Sequence, residues 1–230
     1  MTAHVVSPPV SGAHRARTVL AVRPTWRGVI HRAAVISFVP LSIWLLVLAN
    51  TGTTRVATAV YAIGVAAMLG VSAVYHSGRL GPVGMARMKR VDHSTILLAI
   101  AGSYTAVAAL ALEGAVAARL LSFIWFAALL GAAIRLAWID APYPLVAAVY
   151  VVVGWGALIE WRAITHALSA TQLLLLVGGG LLYTLGAAVY AAHRPNPWPA
   201  TFGYHETFHS LVVLAALMHL TAVAMLVAGR

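Results

Sequence analysis

Two histidines and a carboxylate lie close together in the sequence, where a polar segment meets a long apolar run. His205 and His209 are four residues apart, so on a helix they are separated by one turn and face the same side. Two imidazoles arranged in this way can bind a single metal ion. The apolar run that follows is long enough to cross a bilayer, where polar side chains are costly and are usually functional. The spacing therefore predicts a pair of metal ligands at one end of a membrane helix.

The composition places this pair in a membrane protein. Of the 230 residues, 62% are hydrophobic and only 9% are charged, whereas about a quarter of the residues in a soluble globular domain carry a charge. Cysteine is absent, which excludes disulfides and thiolate ligands. Any metal must therefore be bound by His, Asp, Glu or water.

The net charge of +10 has two interpretations. In a soluble protein it would suggest binding to nucleic acid. In a membrane protein the simpler interpretation is that Lys and Arg collect in loops on the cytoplasmic side. We therefore expect membrane lipids, and no nucleic acid, as partners.

The apolar segments predict an all-α membrane protein, a bundle of seven transmembrane helices. Residues 1–25 are basic and lack helical periodicity, so we expect a disordered tail before a transmembrane domain over residues 26–230. Each segment has about 17–22 residues, which suits a hydrocarbon core of roughly 30 Å. The predicted spans are 31–50, 56–75, 92–112, 119–138, 143–159, 171–191 and the apolar run that follows the histidine pair.

The positions of Lys and Arg predict the orientation of this bundle. With seven spans, eleven of these residues fall on the side of the N-terminus and four on the other side. The N-terminus should therefore be cytoplasmic and the C-terminus outside. Residues 77–91, which carry four of the eleven, are expected to form a polar loop on the inner side.

The same topology brings further polar residues to the depth of the histidine pair. The second span ends near His76 and the third begins at Asp92, so both are expected on the inner side with His205 and His209. Ser72 lies one helical turn before His76 on the same face, close enough to hydrogen-bond to the site. Four candidate ligands from three helices are thus expected to converge.

Three ordered sequence blocks resemble the hemolysin III family, which is related to the progestin and adipoQ receptors, seven-helix membrane proteins with a cytoplasmic N-terminus. The blocks are Ser-x-x-Tyr-His at 72–76, Asp-His-Ser at 92–94 with Ala-Gly-Ser-Tyr-Thr at 101–105, and Phe-Gly-Tyr-His-Glu-x-Phe-His at 202–209. A shorter agreement is Arg27-Gly28-x-x-His31, and the likeness covers nearly the whole chain after residue 23. One departure is Ala106, where many members have proline, and it concerns a helix bend and not a ligand.

The resemblance implies a zinc site in a multi-pass protein of a bacterial plasma membrane. In animal members the histidines of the first and last blocks bind zinc, which by position implies His76, His205 and His209 as the ligands here. It also implies that Asp92 holds the water of the site, with Ser72 nearby.

A zinc site of this kind would suit hydrolysis. Three neutral imidazoles leave Zn²⁺ an open fourth position, and water there has its pKa lowered to about 7. Asp92 would orient that water and move its proton, while Ser72 could stabilise an oxyanion. Substrates inside a helical bundle are lipids, so we expect a ceramidase-like or phospholipase-like hydrolase of lipid amide or ester bonds in membrane homeostasis. The association of animal relatives with ceramide hydrolysis supports this by resemblance alone.

Three alternatives stay open at this point. His205 to His209 matches the zincin pattern H-E-x-x-H, in which Glu206 would be the general base of an intramembrane protease. The histidines could instead hydrogen-bond across the bundle without any metal. In a non-enzymatic pore-forming, haemolytic or receptor-like protein, zinc would be structural and would hold three helices together.

Three other histidines lie in or beside the predicted spans. His219 is on a different face of the seventh helix and is expected to pack or to hydrogen-bond between helices. His93 should point away from Asp92 and lie at the membrane interface. His31 begins the first helix and is expected to contact headgroups or another helix, so none of the three is a predicted ligand.

Overall fold

A computed structural model describes residues 24–77 and 79–229. Almost all of the predicted tail, residues 1–25, lies outside this part of the chain. The disorder of the tail and the division at residue 26 therefore stay predictions.

The described residues form eight α-helices and one short 3₁₀ helix. In chain order they are α1 Val29–Leu48, α2 Gly52–Tyr75, α3 Pro82–Ala111, α4 Gly114–Ala137, α5 Tyr143–Gly154, the 3₁₀ helix Gly156–Glu160, α6 Trp161–Ala167, α7 Ala170–Ala192 and α8 Tyr204–Ala228. Helices α5 and α6 belong to one span, Tyr143–Ala167, so seven segments are long and apolar enough to cross a membrane. The predicted all-α architecture with seven spans is confirmed.

Helix α3 begins earlier than expected. The predicted loop over 77–91 is wrong for residues 82–91, which form the first turns of α3. Pro82 occupies the first turn, where its missing N–H has no helical partner to lose, and the Met, Ala, Arg and Lys residues that follow favour helix. A helix of 30 residues is ~45 Å long at about 1.5 Å per residue, which exceeds the hydrocarbon core of roughly 30 Å. Hydropathy identifies only the part of a helix that lies inside the bilayer. It therefore does not detect the first turns of α3, which carry charged residues and lie outside the hydrocarbon core.

The fifth span is interrupted between α5 and α6. Helix α5 ends at Gly154, and the chain continues as a 3₁₀ helix before α6 begins. The Tyr104 hydroxyl group, from α3, donates a hydrogen bond to Gly154 O at 2.7 Å and accepts one from Ala157 N at 2.7 Å. One side chain thus serves two backbone groups at the break, where hydrocarbon would offer no partner.

Helix α3 is the centre of the bundle. Its span is 56% buried, the largest share of the seven, and it packs most extensively on α2 and α4. The close approach of α2 and α3 requires glycine, because a Cβ atom at Gly102 would lie 2.9 Å from Val60 O. Helix α1 contacts both α2 and α8. The first helix therefore lies beside the last one, and the ends of α2 and α8 come together.

The orientation predicted from charge can be tested with reporter fusions. An odd number of spans puts the two termini on opposite sides, and the distribution of Lys and Arg puts the N-terminus inside. Alkaline phosphatase fused after Gly229 should therefore be active, because this enzyme matures only outside the cytoplasm. Green fluorescent protein fused at the same position should not fluoresce, because it matures only inside the cytoplasm. Fusions after Asn196, which follows six spans, should give the reverse pattern. An active phosphatase at Asn196 would contradict this topology.

The contact between α2 and α3 gives a second prediction. Gly102→Ala should lower the free energy of unfolding by about 1–3 kcal/mol, because the new methyl group meets a backbone oxygen that cannot move away cheaply. Gly70→Ala on α2 is the control, since a Cβ atom there would contact nothing within 4 Å and alanine favours helix by up to about 1 kcal/mol. Thermal unfolding in detergent measures both, and equal effects would contradict the packing argument.

Candidate metal centre

Three histidines from two helices meet at one end of the bundle. His76 directly follows α2, while His205 and His209 lie in the first two turns of α8. One ligand nitrogen from each lies within 4.8 Å of the other two, and His76 Nε2 is 3.1 Å from His205 Nε2. The centroids of the three rings are between 4.3 and 4.9 Å apart. The structure thus brings together the predicted ligands, and this cluster could bind a metal ion.

The chemistry of the three side chains fits a metal ion. His76 and His209 are buried and His205 is half-buried. Within residues 24–77 and 79–229, neither ring nitrogen of His209 has a hydrogen-bond partner. Leaving a buried polar atom without a partner costs roughly 1–3 kcal/mol, and a bound metal would satisfy one of these nitrogens. Imidazole nitrogens suit first-row transition metals such as zinc, copper, nickel and iron.

Asp92 and Ser72 lie beside the three histidines. Asp92 is on α3, and Ser72 is in the last turn of α2, one turn before His76. Both side chains are buried, and they lie close to each other. Both residues line the same cavity as His205 and His209. The five residues singled out from the sequence therefore share one site, and their roles stay predictions.

The cavity has a volume of about 140 Å³ and extends from this site into the bundle. Along α3 it is lined from Asp92 to Tyr104, and along α8 from His205 to His219. At about 1.5 Å per residue these stretches correspond to roughly 18–21 Å. Most side chains between the two ends are apolar, for example Ile100 and Val212. The cavity is therefore elongated and largely apolar, with Asp92, His205 and His209 at one end and Tyr104 and His219 at the other.

The segment before α1, residues Pro24 to Gly28, folds against the site. Its backbone donates hydrogen bonds to the turn before α8, from Thr25 N to Ala200 O at 3.3 Å and from Trp26 N to Thr201 O at 3.2 Å. Gly28 has a φ of 78°, a left-handed conformation that favours glycine. A Cβ atom there would also lie 2.8 Å from His76 O. The left-handed turn thus lets the start of α1 approach His76 at the end of α2.

Glu206, between the two histidines of α8, has a structural role. It is 1% exposed, its Oε1 forms an ion pair with Arg27 Nε, and its Oε2 accepts a hydrogen bond from Gly203 N at 2.9 Å. The carboxylate thus caps the first turn of α8 and joins that turn to the segment before α1. Both of its oxygens are engaged, which argues against Glu206 as the free general base of a zincin.

His31 is the residue of this region whose place the sequence did not reveal. It is 2% exposed, and its ring centroid lies 4.0 Å from that of His209 in an edge-to-face arrangement. Its Nδ1 has no hydrogen-bond partner among the described residues. A contact with another helix was one of the two expectations for His31, and the structure shows that this helix is α8. The signal was its position in the Arg27-Gly28-x-x-His31 block, but sequence spacing does not show that this block folds onto α8.

The other two histidines differ in outcome. His219 Nε2 lies 3.1 Å from Leu176 O on α7, which confirms the expected interhelix hydrogen bond. The interfacial position expected for His93 is wrong, because His93 is 8% exposed and lines the cavity. Its ring contacts Arg135, a buried residue of α4. Nothing in the sequence indicated this contact, because an arginine near the end of a predicted span is expected to be exposed.

The sequence matches a known family over most of its length. The family is described as "Haemolysin-III related", and the match covers residues 20–220, which include all three histidines. A "Hemolysin-3 homolog" of Bacillus subtilis (strain 168) is 32% identical over 123 residues, or 54% of this chain and 55% of that relative. "Hemolysin-3" of Bacillus cereus is 26% identical over 191 residues, or 82% of this chain and 84% of that relative. The chain thus spans about half of the first relative's length and most of the second's.

Breaking the pair between Arg27 and Glu206 should destabilise the fold and leave the ligands in place. Glu206→Gln and Arg27→Met should each lower the free energy of unfolding. Because they break the same interaction, the loss in the double variant should fall short of the sum by about 0.5–3 kcal/mol. Denaturant unfolding in detergent measures this coupling, and elemental analysis of the folded protein follows the metal.

The exposed pair between Arg119 and Glu160 is the control. Its atoms are 3.0 Å apart, but the Arg119 side chain is 63% exposed, so the coupling there should stay below about 1 kcal/mol. Additive losses at residues 27 and 206 would contradict the structural role of Glu206. A zincin mechanism requires a different result, in which Glu206→Gln abolishes activity and leaves stability unchanged.

Proposed function

The chain belongs to the haemolysin-III-related family and is a multi-pass protein of a bacterial cell membrane, and from this premise we propose that it is a zinc-dependent hydrolase of lipid amide or ester bonds. His76, His205 and His209 would hold the zinc ion at the cytoplasmic side of the bundle. One observation carries the proposal: these histidines are clustered within 4.8 Å, and two of them, His205 and His209, line one end of a long, largely apolar cavity together with Asp92 and Ser72.

The choice of zinc follows from the ligands. A set of three neutral imidazoles is typical of catalytic zinc sites, which keep a fourth position open for water or substrate. The carboxylate of Asp92 is outside the group of three ligands, as expected for a residue that acts on water and does not close the site. When bound, zinc would supply an activated water and would polarise a carbonyl group.

The protein side chains supply the proton transfer. Asp92 would accept a proton from the attacking water and return it to the leaving amine or alcohol as the C–N or C–O bond breaks. The products are a carboxylic acid and the amine or alcohol, so atoms and protons balance. Ser72 has a single O–H group, and donating it to Asp92 orients the carboxylate. We therefore assign Ser72 to orienting Asp92 and not to the oxyanion.

The substrate class follows from the cavity. An elongated apolar cavity excludes water along most of its length and accepts a hydrocarbon chain by the hydrophobic effect. A lipid whose chain lies between α3 and α8 would place a polar linkage next to the histidines. A lipid with an amide or ester bond at the head of its acyl chain fits both ends of this cavity.

The names of the relatives support a second candidate. Two of them are called hemolysins, so this chain could act by permeabilising membranes, with a structural zinc that joins α2 to α8. In that case metal removal would destabilise the protein without abolishing a hydrolytic activity. Release of a dye from vesicles by the purified protein, with no lipid cleaved, would favour this candidate over the hydrolase.

Metal content and hydrolysis together test the proposal. Elemental analysis should find about one zinc per wild-type chain, and His76→Ala, His205→Ala and His209→Ala should each lose it, because two ligands hold zinc far more weakly than three. Asp92→Asn should retain zinc but lose about 10²–10⁴-fold in kcat toward lipid amides or esters. His166→Ala, on the exposed face of α6, is the control and should change neither quantity. A wild type purified without chelators that contains no metal would contradict the proposal.

A further inference from the structure

A buried arginine beside the cavity has no carboxylate partner in the described part of the chain. Arg135 lies in the last turn of α4 and is 5% exposed, and no ion pair of the described residues includes it. Its Nη1 donates to Trp138 O at 2.8 Å and its Nη2 to Ile139 O at 3.2 Å. Carbonyl groups at a helix C-terminus carry partial negative charge. They therefore hold the guanidinium group in place and offset its charge.

The remaining contact of Arg135 determines the tautomer of His93. Arg135 Nη2 lies 2.9 Å from His93 Nδ1. A guanidinium group can only donate hydrogen bonds, so Nδ1 accepts, and the proton of the neutral imidazole is on Nε2. The Tyr150 hydroxyl group donates to His93 O at 2.9 Å, which fixes the backbone that carries the ring. The second ring nitrogen of His93 is thus a hydrogen-bond donor with a defined orientation.

The residue that carries this donor lies in the wall of the cavity next to the proposed proton acceptor. His93 lines the cavity, as does the preceding residue, Asp92. When a carbonyl group is attacked, negative charge develops on its oxygen, and a donor already fixed at that oxygen stabilises the transition state strongly. Ser72 is assigned above to orienting Asp92, so a different donor is needed for this role. A neutral imidazole held in one tautomer can fill it, because it donates a hydrogen bond without giving up its proton.

We propose that His93 is a catalytic residue that donates a hydrogen bond from Nε2 to the carbonyl oxygen of the lipid substrate, and that Arg135 is the positioning residue that holds it in this tautomer. The inference rests on the hydrolase function proposed above and adds the group that stabilises the oxyanion. No proton leaves His93 in this step, so the transfer through Asp92 is unchanged. A merely structural contact between α3 and α4 would need no N–H group on the cavity side.

Substitutions at His93 separate the position of the donor from the volume of the side chain. The amide N–H of His93→Gln can occupy about the place of Nε2, whereas that of His93→Asn reaches only about as far as Nδ1, and His93→Phe has no donor. Removing an oxyanion donor costs about 10²–10³-fold in kcat. The kcat of His93→Asn and of His93→Phe should therefore fall by this factor, while KM changes by less than about threefold. Gln should retain kcat within about tenfold. Equal losses in all three variants, or no loss in any, would overturn the assignment.

Nitrogen NMR tests the tautomer without any turnover. The full-length protein is labelled with ¹⁵N-histidine in lipid nanodiscs, and the His93 signals are assigned by their loss in His93→Gln. We expect Nδ1 without a proton and Nε2 with one in the wild type, and a mixture of both tautomers in Arg135→Met. A proton on Nδ1 in the wild type would overturn the proposal.

A ketone that cannot be hydrolysed tests the donor directly. The carbonyl ¹³C signal of [2-¹³C]heptadecan-2-one should shift downfield on binding to the wild type and to His93→Gln, and less in His93→Phe. An identical shift in wild type and His93→Phe would overturn the role of His93. The two proposals fail separately: lack of metal or of lipid cleavage in the wild type contradicts the hydrolase, whereas cleavage with full kcat in His93→Phe contradicts only the donor.

Discussion

Hydrocarbon offers no hydrogen-bond partners, so each polar group that this chain carries into the bundle has to find one within the protein. Glu206 meets that requirement through Arg27 and the N-terminus of α8, and the Nη atoms of Arg135 meet it through carbonyl groups just beyond the end of α4. The unpartnered nitrogens of His209, among the described residues, are an exception to this rule. Single atoms of His31, Ser42, Tyr61 and Arg135 also lack a partner, but among the described residues only His209 lacks one at two atoms of the same side chain. Two such nitrogens at the head of a cavity point to a binding site.

The same requirement links the parts of the site in series. Glu206 can be buried because Arg27 reaches it, and Arg27 is held there because the segment before α1 hydrogen-bonds to the turn before α8. That segment reaches α1 through the left-handed turn at Gly28, which also brings it against His76. The segment before α1 and the turn before α8 are therefore joined at the cluster, and the histidines at the ends of α2 and α8 are held by contacts that are distant in sequence.

Much of this arrangement could be predicted from sequence because it follows from local properties. Spans are visible as apolar runs, and the four of them between His76 and His205, an even number, place both residues at the same depth. The start of α3 at Pro82 was missed, because hydropathy reports the membrane and not the helix. The places of His31 and His93 were missed for a different reason. Each depends on a partner on another helix. For His93 that partner is Arg135, whose charge suggested an exposed side chain, although the residue is buried.

The break in the fifth span has a consequence for the family as a whole. Continuous helices keep their shape through their own backbone hydrogen bonds, but here the deep wall of the cavity includes Gly154 and Trp155 at the interruption. The Tyr104 hydroxyl group bridges that interruption, so the side chain at 104 and the backbone from 154 to 157 form one unit. A relative that lacks a hydroxyl group at this position would leave the carbonyl group of residue 154 and the N–H group of residue 157 without this partner. The two regions should therefore covary, and the depth of the cavity should change with them.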